Sequence, residues 1–124
     1  MTIMTKRSIG FIIFFLSFKS CVTDNTKREK MILAPNETIT QIVLRTEGKH
    51  ISSLDLSVRG EVSGSGRLSI GENDSVFYKT YEVKNGQNEI TYFGDWYSEF
   101  CYVTFTPTIE TKGQFNLEAD FGGD

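Results

Sequence analysis

From Glu37 onward, apolar and polar residues alternate along the chain. The clearest run sets Leu54, Leu56, Val58, Gly60 and Val62 against Asp55, Ser57, Arg59 and Glu61. Successive side chains of a strand point to opposite faces, so this run predicts a strand with one face in a core and one in water. Ile42 and Leu44 repeat the pattern against Gln41, Val43 and Arg45. So do Cys101, Val103 and Phe105 against Phe100, Tyr102 and Thr104, and Phe115, Leu117, Ala119 and Phe121 against Asn116, Glu118 and Asp120. Over residues 75–84 both faces carry rings, Phe77 and Tyr81 on one and Tyr78 on the other. That predicts a strand central in its sheet or in contact with a partner.

Turn chemistry punctuates these runs. Ser63-Gly64-Ser65-Gly66 predicts a reversal that pairs the strand before it with Leu68 and Ile70 as a hairpin. Gly71-Glu72-Asn73-Asp74, Asn85-Gly86, Gly94-Asp95 and Lys112-Gly113 break the chain again, and Pro107 ends or edges a strand because it has no N–H for a ladder. About seven short strands with turns every ten or so residues, and no helical period, predict an all-β fold. The expected architecture is a single β-sandwich of antiparallel strands, Ig-like or jelly-roll-like, over residues 37–124. A small β-barrel is the alternative, because strand spacing does not show closure.

Before Glu37 the pattern changes. Lys6 and Arg7 precede an apolar run from Ile9 to Phe18, which Lys19 stops before Ser20 and Cys21. A run of about ten residues suits the core of an export signal and is half of what a membrane span needs. The segment resembles a bacterial lipoprotein signal, in which a small residue precedes a cysteine that is acylated and becomes the new N-terminus. Ser20-Cys21 matches that core, while Phe18 and Lys19 stand where the strict pattern has a Leu-like and a small residue. Relaxed versions of the motif occur in some bacterial groups, notably Bacteroidota. The resemblance covers the first 21 residues and implies lipidation of Cys21, with residues 1–20 removed. Residues 21–36, polar and mixed in charge around Lys27-Arg28-Glu29-Lys30, then read as a flexible tether.

Ordinary signal-peptidase cleavage is the rival. It wants small residues at both flanking positions, and the nearby sites put Phe18 or Phe15 at the outer one. In a plainly secreted chain Cys21 and Cys101 would form a disulfide closing a loop of about 80 residues, worth roughly 4–5 kcal/mol.

Charge narrows the partners. Of 13 Lys and Arg, three (Lys6, Arg7, Lys19) precede Cys21, and none of the 16 Asp and Glu does, so the processed chain carries ten cations against sixteen anions, a formal −6. That excludes a nucleic-acid surface and polybasic docking to anionic lipid.

Candidate chemistry is sparse. His50 is the one histidine, without His or Cys at ligand spacing, so no metal or cofactor is expected. Gly64-Ser65-Gly66 lacks the frame of a nucleophile elbow. Asp95 and Glu99 could in principle pair as glycosidase carboxylates, and Glu72-Asn73-Asp74 could offer oxygens to calcium, but neither fits its pattern. The aromatic cluster of Tyr92, Phe93, Trp96, Tyr97, Phe100 and Tyr102 is the one stretch suited to a binding face. Within it Trp96, Tyr97 and Tyr92 are the candidate ligand-binding residues. The expectation is a non-enzymatic protein, exported and lipid-anchored to the bacterial cell envelope at the outer membrane or periplasmic face. It would do binding or structural work there for an envelope protein, or alternatively bind glycan through the aromatic patch.

Overall fold

The alternation of residues 51–63 is realised as the longest strand of the molecule. The computed structural model describes residues 4–5, 12–14, 26–34, 38–48 and 50–123. Among these lie ten strands: β1 (Met4–Thr5), β2 (Ile12–Phe14), β3 (Thr26–Ile32), β4 (Thr40–Arg45), β5 (Ile51–Ser63), β6 (Gly66–Gly71), β7 (Phe77–Val83), β8 (Gly86–Asp95), β9 (Phe100–Pro107) and β10 (Lys112–Gly123).

The last eight form two antiparallel sheets, β4-β9-β6-β7 and β3-β10-β5-β8. Strands β3, β4, β5 and β6 pair in turn with β10, β9, β8 and β7, so the chain is one long four-strand hairpin rolled into two layers. That is the jelly-roll form of the sandwich, not a closed barrel. Inward residues of both sheets make one core: Ile42, Leu44, Leu68, Ile70, Val103 and Phe105 face Leu54, Leu56, Val58, Phe115, Leu117 and Phe121. All of these are inaccessible to solvent or nearly so. The aromatic centre of the stack is Phe105 against Phe115, ring centroids 6.1 Å apart.

Three local expectations change. Strands β5 and β6 do not pair with each other; the chain crosses between sheets at Gly64 and Ser65, because Val62 and Leu68 must both reach the core from opposite layers. The Asn85-Gly86 turn, with Gly86 at φ 107°, also crosses between layers. And β7 is an edge strand paired with β6 alone, exposed along most of its length rather than central.

The expected tether is corrected over part of its span. Residues 26–32 are β3, in register with β10 from Thr26↔Asp120 to Ile32↔Gln114. Met31 and Leu33 are buried against the opposite sheet. Lys27 and Glu29 take the inward positions ahead of them, opposite Ala119 and Leu117. Inward charge at a sheet edge guards it against pairing with another chain. Burial, its largest cause, holds the Glu29 carboxyl above its ordinary range. Residues 21–25 and 35–37 lie outside the described residues.

Inside the apolar run read as an export signal, β2 pairs in parallel with β4 from Ile12↔Ile42 to Phe14↔Leu44, and β1 pairs antiparallel with the start of β4. Both lie on the edge of β4 away from β9. Every pairing within the two four-stranded sheets, and every residue of the described core, lies after residue 25. Strands β3 to β10 and their mutual pairings therefore draw on residues 26–123 alone.

Candidate functional site

The connections of the roll separate into two ends. At one end lie the start of β3, residues 46–48, 50, 72–76 and 96–99, and the last residues of β10. At the other lie residues 33–34, 38–39, 64–65, 84–85 and 108–111. The aromatic cluster belongs to the first end, because β8 finishes there at Asp95 and the chain must cross over Trp96 to start β9 at Phe100.

Trp96 does not reach solvent. Its residue is 0% exposed. The backbone N–H of Trp96 donates to Ser52 O (3.2 Å), and its indole N–H donates to Phe100 O (2.9 Å). Its ring is flanked edge-on by Tyr78, with centroids 5.3 Å apart, and by Tyr92 at 5.9 Å. Trp96 therefore plugs the gap between the β7 and β8 edges of the two layers. The expectation of Trp96 as an exposed stacking ring is corrected: β8 runs through Gly94-Asp95 instead of breaking there, and its alternation carries Trp96 inward in phase with Ile90, Tyr92 and Gly94, where its area is worth most.

Tyr92 is half-buried on the core side of β8, and its hydroxyl donates to Asp95 O at 3.4 Å. Burial is the first cause that raises its pKa, as it is for Tyr81, whose hydroxyl donates to Thr91 O. Tyr97 is the one member of the expected trio that faces water, at 72% exposed. Its backbone N–H donates to Glu72 Oε2 (3.3 Å). The Glu72 carboxylate is also the first cause that pushes the pKa of the Tyr78 phenol up. Around this pivot the structure gathers residues that alternation alone could not group: Val76, Phe77 and Tyr78 from β7 and the turn before it, Tyr97, and nearby Phe93 on the outer face of β8. All five are exposed large hydrophobics.

Glu99, Asn73 and Asp74 are occupied by local structure. Glu99 pairs with Arg45 at 3.1 Å, and the guanidinium lies over the Phe100 ring at 5.7 Å. Asn73 Oδ1 accepts the N–H groups of Ser75 and Val76, both at 2.8 Å, and Asp74 Oδ1 accepts the Ser75 hydroxyl. These bonds build the β6–β7 turn in the way Asx residues commonly do. His50 is exposed in the β4–β5 connection with φ 56°. Among the described residues no three of His, Cys, Asp and Glu converge as metal ligands. A shallow open saddle on the outer face of β3, β10 and β5 is lined by Arg28, Lys30, Ser57, Arg59, Asn116 and Glu118, and the Arg28–Glu118 ion pair crosses it.

Cys101 is a free thiol, fully buried on the inner face of β9. Burial alone pushes its pKa far above the ordinary thiol range. The structure gives this sulfur no disulfide partner among the described residues, because β9 alternation aims it into the core. Cys21 lies outside the described residues. A thiol-reactive dye added to native protein that begins at residue 22 is expected to leave Cys101 unlabelled until denaturant unfolds the sandwich. Labelling at the rate of a free small thiol in native buffer would contradict that burial.

No family model matches the chain, and no curated protein does. Among solved structures, the crystal structure of a Bacillus halodurans protein is similar, with 15% sequence identity, coverage of 77% of this chain and 72% of that one, and a TM-score of 0.33.

Proposed function

We propose that this is an exported lipoprotein of the bacterial cell envelope, in which a jelly-roll domain performs binding or structural work without catalysis. The observation that carries the proposal is the N-terminal pattern: cations at Lys6 and Arg7, an apolar core ending at Phe18, and Ser20-Cys21. Two features of the fold support it. Apart from β1 and β2 on the outer edge of β4, every strand of the two layers begins at Thr26 or later, so cleavage ahead of Cys21 keeps β3 to β10 and their mutual pairings. And Glu99, Asp74 and Ser65, three of the groups that could suggest catalysis, are engaged in an ion pair and in turns. A free, buried Cys101 supports this reading over plain secretion with a disulfide.

Processing has a second consequence. It strips β1 and β2 from β4 and leaves Thr40-Gln-Ile-Val-Leu-Arg45 as a sheet edge with neither Pro nor Lys in it. Unpaired backbone on such an edge accepts an added strand, which is the binding mode this architecture offers a protein partner.

The test is mass spectrometry of the protein purified from the envelope of a producing bacterium. The expected N-terminal residue is Cys21 carrying acyl mass. A mature N-terminus at any other residue, or Cys21 without acyl mass, would sink the proposal.

A further inference from the structure

If Cys21 is acylated, as proposed above, the lipid holds the domain very close to the membrane. Only Val22, Thr23, Asp24 and Asn25 separate Cys21 from Thr26, where β3 begins. Five residue steps span at most about 18 Å even when fully extended. Thr26 is pinned by its place in the β3–β10 ladder and by its hydroxyl, which donates to Asp120 Oδ1 at 3.3 Å. The end of the sandwich that carries Thr26 is therefore the end that meets the bilayer.

That same end holds the exposed apolar surface. Seven large hydrophobic side chains are exposed among the described residues, and five of them (Val76, Phe77, Tyr78, Phe93 and Tyr97) lie there. Only Ile32 and Ile109 belong to the opposite end. Phe93 sits in the same cross-strand row as Thr26, through Asp120 and Asp55, at the far edge of the sheet. Three strand spacings make that about 14 Å. The lipid attaches at the β3 side of this end, and the rings stand at its β7 and β8 side. Lying flat on the membrane instead would bury the outer face of β3, β10, β5 and β8, where the Arg28–Glu118 and Arg59–Glu89 ion pairs are solvated.

We infer that this end is a membrane-facing surface, with Val76, Phe77, Tyr78, Phe93 and Tyr97 seated in the headgroup interface of a zwitterionic bilayer beside the Cys21 lipid. Tyrosine suits that depth because its ring is apolar and its hydroxyl is polar. The carboxylates of Asp55, Glu72, Asp74, Asp95 and Asp120 at the same end select neutral over anionic lipid.

The experiment takes the processed chain, residues 21–124, which keeps every pairing of the two four-stranded sheets. Its Cys21 is coupled to a maleimide phospholipid in phosphatidylcholine vesicles, and Cys101 is shielded from the reagent by burial. Hydrogen exchange is compared with and without vesicles. Membrane-dependent protection is expected over residues 72–78 and 93–98 and absent over 63–66 and 108–111. The Phe93→Ser, Tyr97→Ser double variant alters two exposed side chains. It is expected to lose the protection while keeping its circular dichroism and urea midpoint. Replacing part of the lipid by phosphatidylglycerol is expected to reduce the protection. Protection at neither end, equal protection at both, or protection that survives the double variant overturns the inference. Protection that fails to fall with phosphatidylglycerol overturns the choice of a neutral surface. Chemical coupling bypasses natural acylation, so failure here is separate from failure of the N-terminal mass measurement.

Discussion

Trp96→Ala is expected to destabilise the processed domain by about 3–5 kcal/mol, the usual cost of truncating a buried Trp. Single domains hold only about 5–15 kcal/mol in total. The loss comes from three sources that the structure separates. The indole leaves a cavity between the β7 and β8 edges, where nothing in the other layer can follow it. Tyr78 and Tyr92 lose the ring on which each rests edge-on. Phe100 O loses the donor that satisfies it at 2.9 Å. Urea denaturation followed by far-UV circular dichroism measures the effect as a large fall in midpoint. Trp96→Phe keeps much of the apolar volume and loses the donor, so its midpoint should fall between wild type and Trp96→Ala. A Trp96→Ala midpoint within error of wild type would show that the indole is not the plug between the layers. For the same reason Trp96→Ala is a test of stability, not of ligand stacking. A binding test belongs to Tyr97→Ala, which changes an exposed ring.

The second large effect concerns β3. A chain that begins at residue 26 is expected to unfold cooperatively with nearly the urea midpoint of the processed protein. A chain that begins at residue 34 is expected to lose its cooperative transition or to aggregate. Burying Met31 and Leu33 is worth roughly 3–6 kcal/mol together at the usual area coefficient, an upper figure because ordering these residues costs backbone entropy. Their loss also bares the edge of β10, whose inner face carries Phe115, Leu117, Ala119 and Phe121. An unguarded, long, apolar edge recruits other chains. Equal midpoints for the two truncations would mean that residues 26–33 behave as the tether their composition suggests.

The contrast between those residues and the rest of the chain shows where sequence reasoning stops. Leu54 to Val62, Cys101 to Phe105 and Phe115 to Phe121 were legible because each strand has one face in a common core, so alternation records burial directly. Strand β3 was not legible. At the edge of a sheet, inward positions near the rim can carry charge, and Lys27 and Glu29 stand where a period-two count looks for apolar residues. The same limit applies to β7. Aromatics on both faces suggested a strand either central in its sheet or in contact with a partner; the first is overturned, since they cover the rim of an edge strand and one end of the roll.

The candidate site divides along the same line. That rings cluster between Tyr92 and Tyr102 is a property of the sequence. Which of them face water is not, since Gly94-Asp95 reads as a break in the strand, whereas pairing with β5 keeps β8 regular through it, so that alternation sets Trp96 inward and Tyr97 outward. Tyr78 and Glu72 join them through pairings far along the chain, which no local spacing records.

The amino-acid sequence by itself determined that the domain is all-β and layered, because alternation of buried and solvated positions is a local consequence of strand geometry. It also carries the N-terminal pattern on which the proposed export and acylation rest. Only the tertiary structure decided the order of strands, the edge position of β3 and β7, the inward turn of Trp96, and the gathering of five exposed apolar side chains at the end where β3 starts. Each of these depends on pairing residues as far apart as Thr26 and Asp120. Long-range register is set by the fit of whole faces to one another, not by any stretch read alone.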